Sequence, residues 1–127
     1  MLHGGEELNR LSERIIGCAI EVHRELGPGL LESAYESALC IELGLLGVPV
    51  KRQVAIPLYY KGQLLSEFRL DLMVDDRIVL EVKSVERFDP IHIAKLMTYL
   101  RITELKLGLL LNFNSALMHH GIKRVML

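Results

Sequence analysis

Asp71 and the tripeptide Glu81-Val82-Lys83, separated by nine residues, are the side chains in this sequence best suited to chemistry. Both lie in apolar, strand-like runs: Phe68-Arg69-Leu70-Asp71-Leu72-Met73-Val74 and Ile78-Val79-Leu80-Glu81-Val82-Lys83. The polar Asp75-Asp76-Arg77 between them reads as a turn, and a hairpin centred on Asp76 sets Asp71 opposite Glu81. Strict alternation puts Phe68, Leu70, Leu72 and Val74 on one face, with Ile78, Leu80 and Val82. Asp71, Glu81 and Lys83 then gather on the other. Hard carboxylate oxygens suit Mg²⁺ or Mn²⁺. Such an ion lowers the pKa of a bound water towards neutrality. An ammonium beside it can orient that water and offset charge on a pentacovalent phosphorus. The backbone carbonyl of Val82 could complete the ligand shell. The pattern therefore fits metal-assisted hydrolysis of a phosphodiester. The competing reading is a structural ion-pair cluster that includes Arg69. Cross-strand pairs of opposite charge contribute only about 0.2–1 kcal/mol, a weak reason to set three charges on a mid-sheet face where burying carboxylates is costly.

The elements that must position these groups follow from periodicity and punctuation. Leu8, Leu11, Ile15, Ile16, Ala19, Ile20 and His23 recur at helical spacing, predicting a helix over about 6–26 that Gly27-Pro28-Gly29 stops. A second helix is expected from Leu31 or Glu32 to about Leu46, with Leu31, Ala34, Tyr35, Ala38, Leu39 and Leu43 as its apolar stripe and Pro49 barring continuation. The period then changes to two. Strands are expected over about 50–60, 63–74 and 77–85, with Pro57 marking an edge or bulge and Lys61-Gly62 a hairpin turn. Asp89-Pro90 opens a third helix to about Arg101, with Ile93, Leu96, Met97 and Leu100 on its buried face. Residues 105–112 are nearly continuously apolar, as in a strand buried on both faces, and a last strand spans about 122–126. The order α-α-β-β-β-α-β-β implies a mixed α/β domain, a meander followed by a crossover helix.

The 127 residues suit one domain, residues 1–127. Half are hydrophobic, which argues for a packed core. No apolar run reaches the length of a membrane span and the first residues show no leader pattern, so a cytoplasmic protein without a membrane partner is expected. Cys18 and Cys40 lack metal spacing and read as small buried groups. His23 reads as a core histidine near the Gly-Pro-Gly turn, His92 as a first-turn residue, and the adjacent His119-His120 as a loop pair unsuited to chelating one metal. A formal charge of −1 argues against extensive non-specific nucleic-acid binding. The local basic pairs are Lys51-Arg52 and Lys123-Arg124. No GxSxG elbow and no GxxxxGK loop occurs, which excludes the commonest serine-hydrolase and nucleotide-triphosphatase designs.

Asp71 with Glu81-Val82-Lys83 resembles the core motif of the PD-(D/E)XK nuclease superfamily, and the element order after Glu32 resembles its α-β-β-β-α-β core, here with an extra N-terminal helix and a C-terminal strand. Gly29-Leu30-Leu31-Glu32-Ser33-Ala34-Tyr35 further resembles the motif of the GxxExxY protein family, flanked by Val22–Pro28, Arg69–Leu72 and Leu80–Ser84. The resemblance implies a Mg²⁺- or Mn²⁺-dependent nuclease acting on nucleic acid, DNA foremost, with Asp71, Glu81 and Lys83 catalytic. Glu32, Asp71, Glu81 and the Val82 carbonyl would be metal ligands. It implies that Tyr35 binds phosphate or holds Glu32, and that Tyr99 belongs to a Gln-xxx-Tyr pair whose Gln is replaced by Lys95. Lys95 could bind phosphate or pair with a site carboxylate and displace metal. The alternative is an inactive nuclease-fold module binding nucleic acid or protein. So short a chain leaves little room for a separate recognition region, so a homodimer or a protein partner is expected.

Overall fold

The computed structural model describes residues 4–127. Its elements are α1 (Gly4–Leu26), α2 (Glu32–Leu45), β1 (Val50–Tyr60), β2 (Gln63–Val74), β3 (Ile78–Lys83), α3 (Pro90–Thr103), β4 (Leu107–Asn112), a 3₁₀ turn (Met118–Gly121) and β5 (Ile122–Met126). The strands form one sheet in the order β1-β2-β3-β4-β5. Neighbours are antiparallel except β3 and β4, which run parallel and are joined through α3. This is the mixed sheet that the sequence predicts. Local signals account for the boundaries. Gly27 takes φ 69° after α1, and Asp89 caps α3 in a capping box completed by the His92 side chain.

The sheet is covered on both sides. Ile15, Ala19 and Val22 of α1, with Tyr35, Leu39 and Leu43 of α2, pack on Leu72, Val74, Ile78, Leu80 and Val82, and on Leu107, Leu109 and Leu111 of β4. Leu96, Tyr99 and Leu100 of α3 pack on the other face against Leu70, Met73, Val79 and Leu110. β3 and β4, buried on both faces, form the rigid centre. Gly108 lets α3 close onto β4, since a Cβ there would lie 2.7 Å from Leu96 Cδ1. Gly121 is more constrained: a Cβ would lie 2.2 Å from the backbone oxygen of Asn112. Gly121→Ala should therefore cost about 2–3 kcal/mol, by overpacking against backbone that cannot rotate away, measurable as a lowered denaturation midpoint.

Three sequence expectations need correction. Strict alternation along β2 fails. Phe68 and Leu70 face α3, whereas Leu72 and Val74 face α1 and α2. The register of β1 with β2 runs Arg52–Leu72, then Val54–Leu70, and skips the level of Gln53 and Asp71 between them. Gln53 there has φ 49°, a left-handed conformation that reverses the alternation of β1 at the same level, so that Val50 packs with Leu72 and Val54 with Leu70. Secondly, the apolar stripe of α2 is narrower than expected: Leu31 is 79% exposed and Ala34 is exposed, while Glu36 is buried. Leu31 is the residue before the helix, which turns it outward. Thirdly, β3 is shorter than its apolar run, because the chain bends away after Lys83.

Candidate active site

The antiparallel ladder between β2 and β3 holds at Val74–Ile78, Met73–Val79 and Leu72–Leu80, the register expected for a hairpin about Asp76. At the next level side chains replace backbone acceptors. The Asp71 amide donates to Glu81 Oε2 at 3.0 Å, and the Val82 amide donates to Asp71 Oδ2 at 2.8 Å. The two carboxylates thus lie where the strands part, each held by the backbone of the other strand. Lys83 ends β3 beside them. Its exit is clamped: the Phe113 amide donates to Lys83 O at 2.9 Å, and Asn112 bonds both the amide and the carbonyl of Val85, at 3.1 and 2.8 Å.

Helix α2 brings two further carboxylates. Glu32 Oε2 accepts from the Ser84 amide at 2.9 Å, and Ser84 Oγ donates to Leu30 O at 3.1 Å. These bonds tie the start of α2 to the end of β3. Glu36, one turn on, is buried and accepts from Gln53 Nε2 at 3.0 Å, with Arg52 at 3.7 Å. The left-handed Gln53 therefore has a role at the site: its amide sits between Glu36 and Asp71 and lowers the pKa of both. Glu36 and Gln53 did not emerge from the sequence pattern. The signal for Glu36 was its i+4 spacing from Glu32, which sets both on one side of the helix; nothing local announces the turn at Gln53.

Charge crowding shapes the electrostatics. Glu81 is only 6% exposed. Its carboxyl is pushed up to about 8, first by burial and then by the Asp71 charge, against the opposing pull of the Asp71 amide and Lys83. Asp71 is raised by burial, although the Val82 amide and Lys83 oppose this. Burial, with the charges of Asp71 and Glu32, likewise raises Glu36. The Tyr99 phenol is pushed up by burial and by Glu81 and Asp71, so α3 delivers it to the same neighbourhood. The Lys83 ammonium has no hydrogen bond and no ion pair within 4.0 Å among the described residues, yet it lowers both Asp71 and Glu81. Arg69, the partner in the ion-pair reading, donates to Gln53 O instead.

Two expected site residues stand differently. Tyr35 is fully buried, with its ring stacked on Phe113 at 4.4 Å. Its hydroxyl donates to Gly27 O at 2.5 Å and accepts from the Leu30 amide at 3.1 Å. A phosphate contact would require breaking those bonds, and no hydrogen bond joins Tyr35 to Glu32. The Gly29–Tyr35 motif thus works as a clasp: Gly29 supplies φ 101°, Tyr35 closes the loop, and Glu32 reaches across to Ser84. Tyr35→Phe should cost about 1–3 kcal/mol by orphaning two loop groups, read by chemical denaturation. Lys95 is exposed, at a shallow groove with Phe68, Ile91 and Tyr99, and no carboxylate lies within 4 Å of it among the described residues. The ion pair that would displace metal is therefore not formed.

The donor set suits a hard divalent cation. The hydrogen bonds engage one oxygen of each carboxylate, and Oε1 of Glu32 and of Glu81 meets no protein donor among the described residues. No three carboxylate, histidine or cysteine side chains among the described residues yet converge tightly enough to enclose an ion, so binding requires the free oxygens to swing inward. The described histidines take structural roles: His23 Nε2 donates to Ser115 O at 2.7 Å, His92 closes the capping box of α3, and the His119 and His120 rings pack on each other in the 3₁₀ turn. A cleft of about 540 Å³ lined by Arg10, Arg14 and Arg77 lies away from these carboxylates, between α1 and the β2–β3 turn.

A family model described as the PD-(D/E)XK nuclease superfamily matches residues 9–125. The chain belongs to the PD-(D/E)XK nuclease superfamily. No curated protein and no solved structure matches it. PD-(D/E)XK nucleases generally use divalent metal ions, and membership carries the expectation of nucleic-acid binding. Among the described residues, no helix is long and apolar enough to cross a membrane.

Proposed function

We propose that this PD-(D/E)XK protein is a Mg²⁺- or Mn²⁺-dependent nuclease that hydrolyses phosphodiester bonds in DNA. The observation that carries the reading is the exchange of bonds between Asp71 and Glu81 where the ladder opens, with an unpaired Lys83 beside them. In this reading Glu32, Asp71, Glu81 and the Val82 carbonyl hold the cation. The Val82 amide points towards Asp71, and a strand residue's carbonyl leaves on the same edge as its amide; this supports Val82 as a ligand. The bound ion supplies an acidified water and a counter-charge for the phosphate. Lys83 stabilises negative charge that accumulates on the phosphoryl oxygens. Tyr99 borders the site, Tyr35 supports Glu32 through the loop clasp, and exposed Lys95 attracts backbone phosphates as a mobile point charge. The reading takes the chain as one cytoplasmic domain acting as a pair of copies.

One observation favours a second reading, a nuclease-fold module without turnover. Each carboxylate already has a backbone partner, so the cluster also has a structural role. Calorimetric titration with Mn²⁺, run beside a cleavage assay on single-stranded, duplex and branched DNA, separates the two. The nuclease reading expects Mn²⁺ binding and cleavage by wild type, both lost in Asp71→Asn, which keeps an acceptor for the Val82 amide. No binding and no cleavage with either metal would leave only the module.

A further inference from the structure

Helix α2 carries a second apolar stripe that the described residues leave largely uncovered, only Ala38 also packing on the core. Leu31, Ala34, Ala38, Ile41 and Leu45 recur at alternating spacings of three and four. At 3.6 residues per turn Ala34, Ala38, Ile41 and Leu45 fall within roughly a 60° arc of the helix, and Leu31 precedes its first turn. Leu31, Ile41 and Leu45 are 79%, 64% and 75% exposed, Ala34 is exposed and Ala38 is half-buried. The core-facing stripe of Tyr35, Leu39 and Leu43 is separate and fully buried. Such spacing matches a facing helix rather than a flat surface, although two heptads are too short to pair without the domain behind them.

We propose that this seam is where two copies of the chain pair, α2 against α2, antiparallel about a two-fold axis near Ala38. The proposal deepens the paired state included above by naming its surface. Charge selects the occupant and its direction. Ser37 and Gly44 flank the seam on one side and Glu42 on the other, the one charged residue of α2 beside it, and Arg14 of α1 reaches its C-terminal end by donating to Leu46 O, so the charges at its border offset each other. A nearly neutral patch is complementary to itself, as an isologous interface requires. In a parallel pair Glu42 would lie beside its own copy. In an antiparallel pair about residue 38 the two Glu42 positions are eight residues apart, about 12 Å along the axis, beyond the screening length of about 8 Å in physiological salt. Size agrees: the small Ala34 and Ala38 sit near the crossing, and Leu31 of one copy meets Leu45 of the other. Exposed Leu30 and Leu46 extend the patch at its two ends. Glu32 and Glu36 lie roughly 140–180° around the helix from the seam, so pairing leaves both sites open.

Analytical ultracentrifugation over a concentration series tests this without reference to cleavage, so its failure is distinct from failure of the nuclease reading. Wild type should approach twice the 14.4 kDa chain mass, and the double substitution Ile41→Lys with Leu45→Lys should remain at one chain mass with unchanged circular dichroism. Ala38→Cys should form a covalent dimer under mild oxidation faster than wild type. A single-chain mass for wild type at every concentration overturns the proposal, as does a dimer that survives the double substitution. Cross-linking of Ala38→Cys no faster than wild type overturns the antiparallel seam.

Discussion

Glu81→Gln is expected to stabilise the metal-free protein at pH 9 by about 2–4 kcal/mol while abolishing cleavage. Glutamine keeps an oxygen for the Asp71 amide and removes the charge that burial and Asp71 both oppose. The direction follows from linkage. The Glu81 carboxyl protonates at about 8 in the fold, against 4.5 in its unperturbed form. Between those values the folded state binds a proton that the unfolded state has released, so stability falls as pH rises through that window. The contribution is fully present below about pH 4.5 and fully lost above about pH 8. Asp71 and Glu36, also raised, add loss in the same direction as their own windows are crossed. Lys83 acts against the rise, Glu32 adds to it through Asp71 and Glu36, and Tyr99 remains neutral here. Urea denaturation of both proteins at pH 5 and pH 9 checks the prediction: the curves should nearly coincide at pH 5 and separate at pH 9. Saturating Mn²⁺ should narrow the gap at pH 9 by stabilising wild type alone, because the ion binds the ionised form. Equal stabilities at pH 9 without metal would refute the charge-crowding account.

Lys83→Ala is expected to lower the cleavage rate about 10²–10³-fold, the usual effect of removing one group that stabilises transition-state charge. Folding should hardly change, since the ammonium makes no bond within the described fold. Loss of its positive charge lets the Asp71 and Glu81 carboxyls rise further, so the fall of stability with pH should extend to more alkaline values. Mn²⁺ affinity at pH 9, where protons compete least, should persist. Single-turnover cleavage and calorimetry on the same preparation separate these effects. A variant that cleaves like wild type would remove Lys83 from the chemistry.

Much of this was legible in the chain because local signals agreed with the fold. The period changes from helix to strand at Val50, Gly27 and Pro49 stop two helices, and Asp89-Pro90 opens a third. The Asp76 turn fixed the hairpin register that sets Asp71 against Glu81. The missing parts are long-range or depend on one unusual dihedral. Tyr35 fell on the expected apolar stripe of α2, but its stacking on Phe113 and its bonds to the Gly27 loop were not legible, because Phe113 lies far along the chain. Glu36 drew no reading at all, since its partner Gln53 lies on another element. The reversal of β2 at Asp71 is invisible to an alternation rule, since such a rule presumes that no residue in the pair adopts a left-handed conformation. Exposure of Leu31 also defied pattern reading, as α2 is apolar on more than one side.

The parting of β2 and β3 bears on how this lineage can decay. Asp71 and Glu81 serve as hinge-pins of the sheet, and deleting either strands an amide in the interior. If the protein is the nuclease proposed above, mutational drift towards inactivity meets resistance at the acids and almost none at the lysine, whose loss would unfasten nothing. Descendants that have abandoned turnover should keep the two acids and show their retirement first at position 83.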